Sequence, residues 1–117
     1  MILIIDDNKV LADIFGEYLN LLGYEVTTTY NGEEGLAKAK ELRPEVILCD
    51  IGMEGMNGYE IAEFIRQDTE IKDTSMIAIS GYSNQKSMER ALKAGFNKYL
   101  NKPIDFDYLI KLLDNLG

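Results

Sequence analysis

Cysteine is nearly absent from this chain. Cys49 is the only one, so no intramolecular disulfide can form, and its place at the end of an apolar run marks it as a small buried hydrophobe. A reducing, cytoplasmic setting is expected. Long hydrophobic runs are absent too: the apolar start, Met1 to Ile5, is far too short for a signal h-region or a membrane span and runs straight into two aspartates. No targeting segment is expected. Basic residues are scarce, with 12 Lys and Arg against 20 Asp and Glu for a formal charge of -8. The resulting field repels phosphate backbones and anionic lipid heads, which disfavours direct nucleic-acid or membrane binding. Linkers, repeats and low-complexity tracts are missing as well.

What remains is enough for one domain, residues 1–117, large enough to bury its own core. Apolar residues make up 46% and charged residues 27%, as in ordinary globular proteins. Four apolar runs, Ile2 to Ile5, Val46 to Cys49, Met76 to Ile79 and Tyr99 to Leu100, are too short for helices and do not alternate, so they read as buried strands. A fifth, Glu25 to Tyr30, is rich in Val and Thr and polar on one side, as an edge strand would be.

Helical spacing fills the intervals. Val10, Leu11, Ile14, Phe15, Tyr18, Leu19 and Leu22 form one stripe, closed by Gly23 at a C-cap position. A second helix begins near Asn31, with Glu33 and Glu34 in its first turn, and must end before Pro44. A third carries Ile61, Ala62, Phe64 and Ile65, and a fourth runs from about Asn84 through Met88, Ala91 and Leu92 to Gly95. The fifth starts at Asp105 and is expected to bury Phe106, Leu109, Ile110, Leu113 and Leu116. Alternating strands and helices predict an α/β fold: a five-stranded parallel sheet with right-handed crossovers and helices on both faces. Five such units suit the flavodoxin-like, doubly wound (βα)5 sandwich of strand order 2-1-3-4-5, whose crevice lies at the carboxyl ends of strands 1 and 3.

Every strand of a parallel sheet ends at one edge, so the residues that follow each run are gathered there. Strand 1 delivers Asp6 and Asp7, strand 3 Asp50, strand 4 Ser80, and strand 5 is followed by Lys102 and Pro103. Adjacent strands lie about 4.8 Å apart, so the aspartates repel one another unless a cation intervenes. A hard divalent ion answers this, and Mg2+ in particular accepts one or two carboxylates while keeping waters and phosphate oxygens in its octahedron. Lys102 starts two strand spacings from Asp50, roughly 10 Å, a span that a lysine side chain covers. Its ammonium is expected to pair with Asp50 at rest and with a phosphoryl oxygen when one is present. Ser80 can offer its hydroxyl to another oxygen.

With these residues in hand, the chain resembles the CheY-like receiver domains of two-component response regulators over essentially its whole length. The matching segments are Ile4-Ile5-Asp6-Asp7-Asn8, Val46 through Met53 around Asp50, Asn57-Gly58, Ala78-Ile79-Ser80-Gly81 and Lys102-Pro103. The resemblance implies that Asp50 accepts a phosphoryl group from a phosphohistidine on a sensor histidine kinase or histidine phosphotransfer domain, or from a small donor such as acetyl phosphate. It also implies a Mg2+ site made by Asp7 directly, Asp6 partly through water, Asp50, and the backbone carbonyl of Gly52. Ser80 and Lys102 would bind the phosphoryl group, and the Lys102-Pro103 bond would be cis. Tyr99 matches the aromatic that swings inward when Ser80 moves toward phosphate, although an edge aromatic with a wet hydroxyl reads equally well there.

So read, the chain is a phosphoacceptor rather than an enzyme, with only slow self-phosphorylation and self-dephosphorylation expected. It has no histidine, so it cannot itself be the phosphohistidine donor. Phosphorylation would bias the surface of helix 4, strand 5 and helix 5 toward a downstream protein or effector domain. The chain would act alone through protein contacts or as a piece of a longer regulator or hybrid kinase.

Glu54 departs from the family, which usually has proline there, and Gly52 and Tyr82 occupy positions that tune dephosphorylation. A haloacid-dehalogenase-type phosphatase would need a second carboxylate where Gly52 stands. A flavodoxin would place an anionic flavin phosphate against Asp6 and Asp7. The alternative from another class is a scaffold of the same fold that signals through protein contacts without phosphate.

Overall fold

The computed structural model describes residues 1–116, with the side chain of Leu116 outside the described set, so its expected burial falls there too. Five strands, β1 (Ile2–Ile5), β2 (Val26–Thr29), β3 (Val46–Asp50), β4 (Ser75–Ser80) and β5 (Lys98–Asn101), form one sheet in the order β2-β1-β3-β4-β5. Every pairing is parallel. Between and after them run α1 (Lys9–Leu21), α2 (Gly32–Leu42), α3 (Gly58–Gln67), α4 (Gln85–Ala94) and α5 (Phe106–Leu116). The expected flavodoxin-like topology is the observed one.

The period of two along the strands sorts their side chains between two cores. Ile2, Ile4, Leu48, Ile77 and Ile79 pack with Phe15 and Leu19 of α1 and with Leu109 and Leu113 of α5. On the opposite face, Leu3, Ile5, Ile47, Cys49 and Ala78 meet Ile61 and Ile65 of α3 and Ala91 of α4. Both faces are therefore covered, which is why the strand runs are continuously apolar.

Helix starts are fixed by side chains at the carboxyl edge of the sheet. Asn8, Asn31, Asn57 and Asn84 accept from the backbone N–H three residues on, and Asn57 forms a full capping box with Glu60. Asp105 does the same for α5, accepting from Tyr108 N at 3.2 Å. At its other end α1 closes in a Schellman turn. Tyr24 N donates to Leu19 O and Gly23 N to Asn20 O, with Gly23 at φ 100°, one residue past the cap. The end of α2 falls on Arg43, which adopts a left-handed φ of 49° before Pro44.

The apolar stripe of α1 is wider than the surface it covers. Phe15 and Leu19 are buried, but Val10, Leu11, Ile14 and Leu22 are about half exposed or more. Phe106 is likewise 37% exposed instead of buried, leaning at a tilt on Phe15 and Tyr18 with ring centroids 5.4 and 4.7 Å away. A helix lying on a sheet seals only the strip beneath it. The flanks of α1 and α5 stay open.

Candidate functional site

β1 and β3 are neighbours in register, Ile5 beside Cys49, so the residues that follow, Asp6 and Asp50, emerge side by side. Both are nearly buried, while Asp7 is exposed. One carboxylate oxygen from each of Asp6, Asp7 and Asp50 lies within 4.8 Å of the others. Asp6 accepts from Asn8 N at 2.9 Å, which ties its carboxylate to the start of α1. Burial, and then repulsion from Asp50, pushes Asp6 up to about 6 against the opposing pull of that backbone N–H.

Asp50 uses both oxygens. Oδ1 accepts from Gly52 N at 3.0 Å and Oδ2 from Lys102 Nζ at 3.1 Å. Lys102 is brought there by β5, whose register with β4 sets Asn101 beside Ser80, and by its own N–H, which donates to Ser80 O at 2.8 Å. The Lys102-Pro103 peptide is cis. The loop after Asp50 is held close because Gly58, which opens α3, packs against main chain: a Cβ there would stand 2.8 Å from Ile51 Cα and 2.9 Å from Asp50 O. At Gly52, by contrast, the nearest atom to such a Cβ is Asp50 Oδ1 at 3.8 Å, so the approach to the carboxylate is open.

The structure brings Asp6, Asp7, Asp50 and Lys102 together in one cluster at this edge. Three carboxylates against one ammonium leave it two negative charges from neutrality when all are ionised, and the donor set is all oxygen. That combination fits a hard divalent cation.

Ser80 is buried at the same edge, but its Oγ accepts from Tyr82 N at 2.9 Å and makes no hydrogen bond to Asp50 among the described residues. Tyr99 is half-buried, and its hydroxyl, at the exposed edge, donates to Tyr82 O at 2.5 Å. Asn101, which the sequence reading passed over, donates its Nδ2 to the same carbonyl at 2.7 Å. Residues i and i+2 of a strand face the same side, so the pair Tyr99 and Asn101 could have been read from the pattern. Their shared target on a loop could not.

Comparison with known proteins agrees with this geometry. The family described as the response regulator receiver domain matches residues 2–114. The polar-differentiation response regulator DivK of Brucella anthropi is 30% identical over 112 residues, 96% of this chain and 91% of that protein. Among solved structures, the Vibrio cholerae chemotaxis protein CheY4 superposes with a TM-score of 0.92 at 28% identity, covering 99% of this chain and 97% of that one. The signal receiver domain of a DNA-binding response regulator from Colwellia psychrerythraea gives 0.91 at 29% identity, covering 98% and 95%. Among the described residues no helix is long and apolar enough to cross a membrane. An acidic pocket faced by a strand-end lysine, on a sheet of this order and with these relatives, leads to one statement of kinship: the chain belongs to the response regulator receiver domain family of two-component signalling.

Proposed function

We propose that Asp50 is a phosphoacceptor, charged by a phosphohistidine on a sensor histidine kinase or histidine phosphotransfer domain, or by a small donor such as acetyl phosphate. One observation carries this reading. A nearly buried carboxylate sits between an ammonium at 3.1 Å and two further carboxylates, in an opening that Gly52 leaves clear. Such a group is already a nucleophile, and phosphoryl transfer asks for positioning and charge neutralisation more than for a base.

In the transfer an oxygen of Asp50 attacks phosphorus. The O–P bond forms as the P–N bond to the donor breaks, and the electron pair stays on the imidazole, which leaves neutral because its other nitrogen already carries a proton. Lys102 exchanges its contact with Asp50 Oδ2 for a phosphoryl oxygen, and the Ser80 hydroxyl turns from Tyr82 N–H to another. Asp6, Asp7 and Asp50, with the Gly52 carbonyl, would hold Mg2+, which supplies neutralising charge to the transferring oxygens. Turning Ser80 away from Tyr82 frees one end of the residue whose carbonyl Tyr99 and Asn101 hold, and so reaches the α4-β5-α5 face, where a downstream protein or effector domain would read it. The chain acts as a cytoplasmic signal acceptor, not as an enzyme that turns over a separate substrate.

The test is intact mass after incubation with Mg2+ and either acetyl phosphate or a competent kinase. One added phosphoryl group is expected, absent in Asp50→Asn. An unchanged mass with both donors would favour a scaffold that signals without phosphate.

A further inference from the structure

The flank of α4 turned toward α3 is basic in an otherwise acidic molecule. Lys86, Arg90 and Lys93 follow one another at i, i+4 and i+7, so they share one stripe of the helix, and all three are exposed. The Arg90 guanidinium lies over the Tyr59 ring of α3, 4.0 Å from its centroid, which turns the stripe toward α3 and away from β5. Glu89, the one acid of α4, stands on a neighbouring stripe and accepts from Gln85 Nε2 at 3.1 Å. Glu63, on the same side of α3 as Tyr59, forms no ion pair with the stripe among the described residues. Three cations against one carboxylate on this helix contrast with a formal charge of -8 for the chain.

The stripe borders a pocket of about 490 Å3 that Arg90 and Ser87 of α4 line together with Asn57, Tyr59 and Asn84. No carboxylate lines it, and Asp6, Asp7 and Asp50 are not among its walls. Both asparagines turn their Oδ1 to the backbone: Asn57 accepts from Glu60 N at 3.0 Å and Asn84 from Ser87 N at 2.8 Å. What they keep for the pocket is Nδ2, which donates to no protein group among the described residues. The guanidinium is held by the ring beneath it and likewise spends none of its donors on protein there. Two amide donors, a hydroxyl and an oriented cation make a lining that asks for an acceptor of negative charge.

We propose that this flank of α4, with its pocket, docks an extended acidic segment of a partner protein, one carboxylate entering the pocket on Arg90 and others meeting Lys86 and Lys93. A guanidinium fixed on an aromatic face presents its planar fork to a carboxylate, the pairing that gives the strongest charge-assisted hydrogen bonds. The spacing favours a chain of acids over a single one. Lys86 and Arg90 stand about 6 Å apart along the helix axis, close to the ~6.6 Å between alternate residues of an extended strand, so acids at every second position meet successive cations. A second copy of this chain is a poor occupant, because two molecules of the same large negative charge repel. The site goes beyond the phosphoacceptor reading and does not depend on phosphate at Asp50.

The test is amide NMR on the full chain, without a phosphodonor, titrated with the capped peptide Ser-Glu-Val-Glu-Val-Glu-Ser. Saturable one-to-one shifts are expected at Asn57, Ser87 and Arg90, with Tyr99, Asn101 and Leu109 unmoved. The same peptide with glutamine for each glutamate should bind at least about tenfold more weakly, the loss of one charge-assisted contact or more. Arg90→Gln should weaken the acidic peptide about tenfold, while Lys98→Gln, which removes the same charge from β5, should stay within about twofold of the parent. The double variant Lys86→Gln and Lys93→Gln should weaken binding and flatten its dependence on salt. Because these positions are exposed, the rest of each variant's spectrum should match the parent and report an intact fold. The proposal is overturned by shifts that do not saturate, by equal binding of the two peptides, or by a loss in Lys98→Gln as large as that in Arg90→Gln, which would mark a bulk charge effect. It is overturned as well if a short oligothymidylate moves the same amides at lower concentration than the peptide, since the flank would then be a nucleic-acid surface.

Discussion

The hydroxyl of Tyr99 and the backbone carbonyl of Tyr82 are joined by a 2.5 Å hydrogen bond, which ties β5 to the loop between β4 and α4. Because Ser80 Oγ accepts from the N–H of the same Tyr82, the loop is held at one residue from both sides. Asn101 adds a second donor to that carbonyl.

From this follows a coupling. Tyr99→Phe and Asn101→Leu should each destabilise the chain by about 0.5–1.5 kcal/mol, the usual net value of a neutral hydrogen bond. The double variant should lose more than the sum, since the loop is released only when both donors are gone. A double-mutant cycle in urea measures this, and strict additivity would show that the donors act independently.

Mg2+ should stabilise the chain against urea, by about 2.7 kcal/mol at a hundred times its dissociation constant. In Asp7→Asn that gain should vanish. The metal-free variant should be no less stable than the parent, because an exposed like charge beside Asp6 and Asp50 has been removed. Unfolding with and without Mg2+ separates the two effects.

Two glycines at the acceptor loop should answer differently to the same methyl group. Gly58→Ala drives a Cβ to 2.8 Å from Ile51 Cα and 2.9 Å from Asp50 O, both main-chain atoms with little room to yield, and should cost about 1–3 kcal/mol. Gly52→Ala meets nothing closer than 3.8 Å and should stay within about 0.5 kcal/mol of the parent. Equilibrium unfolding of the pair would decide.

Cys49 is fully buried, and burial, reinforced by Asp50 and Asp6, pushes its thiol far above the ordinary value of 9.0. The native thiol should therefore be inert to disulfide reagents at pH 8 and react only on unfolding. The folded state keeps this proton at a pH where the unfolded chain releases it, so the group's contribution to stability falls as pH rises above 9.0. Thiol labelling against urea, repeated across that range, checks both statements.

Much of this was legible before any coordinates. The runs from Ile2 and from Val46 could be assigned to strands because burial on two faces demands continuous apolarity, a local property of the chain. Asp6, Asp50 and Lys102 could be gathered because parallel strands end at one edge whatever their separation in sequence. The apolar stripe of α1 is broader than the strip it buries. Periodicity records which residues share a face, but not how much of that face a partner covers, so Leu11 and Ile14 share the stripe of Phe15 yet border a cavity.

Residue order by itself determined the alternation of strand and helix, the asparagine caps and the acidic edge, since each depends on neighbours along the chain or on a rule of topology. Only the tertiary structure decided that Tyr99 and Asn101 converge on one carbonyl, that Ser80 faces Tyr82 at rest, and that a chamber opens between α1 and α5. Those are matters of ångström-scale approach between segments far apart in sequence, set by how side chains of particular volume fill the space between layers. Pattern carries no measure of that space.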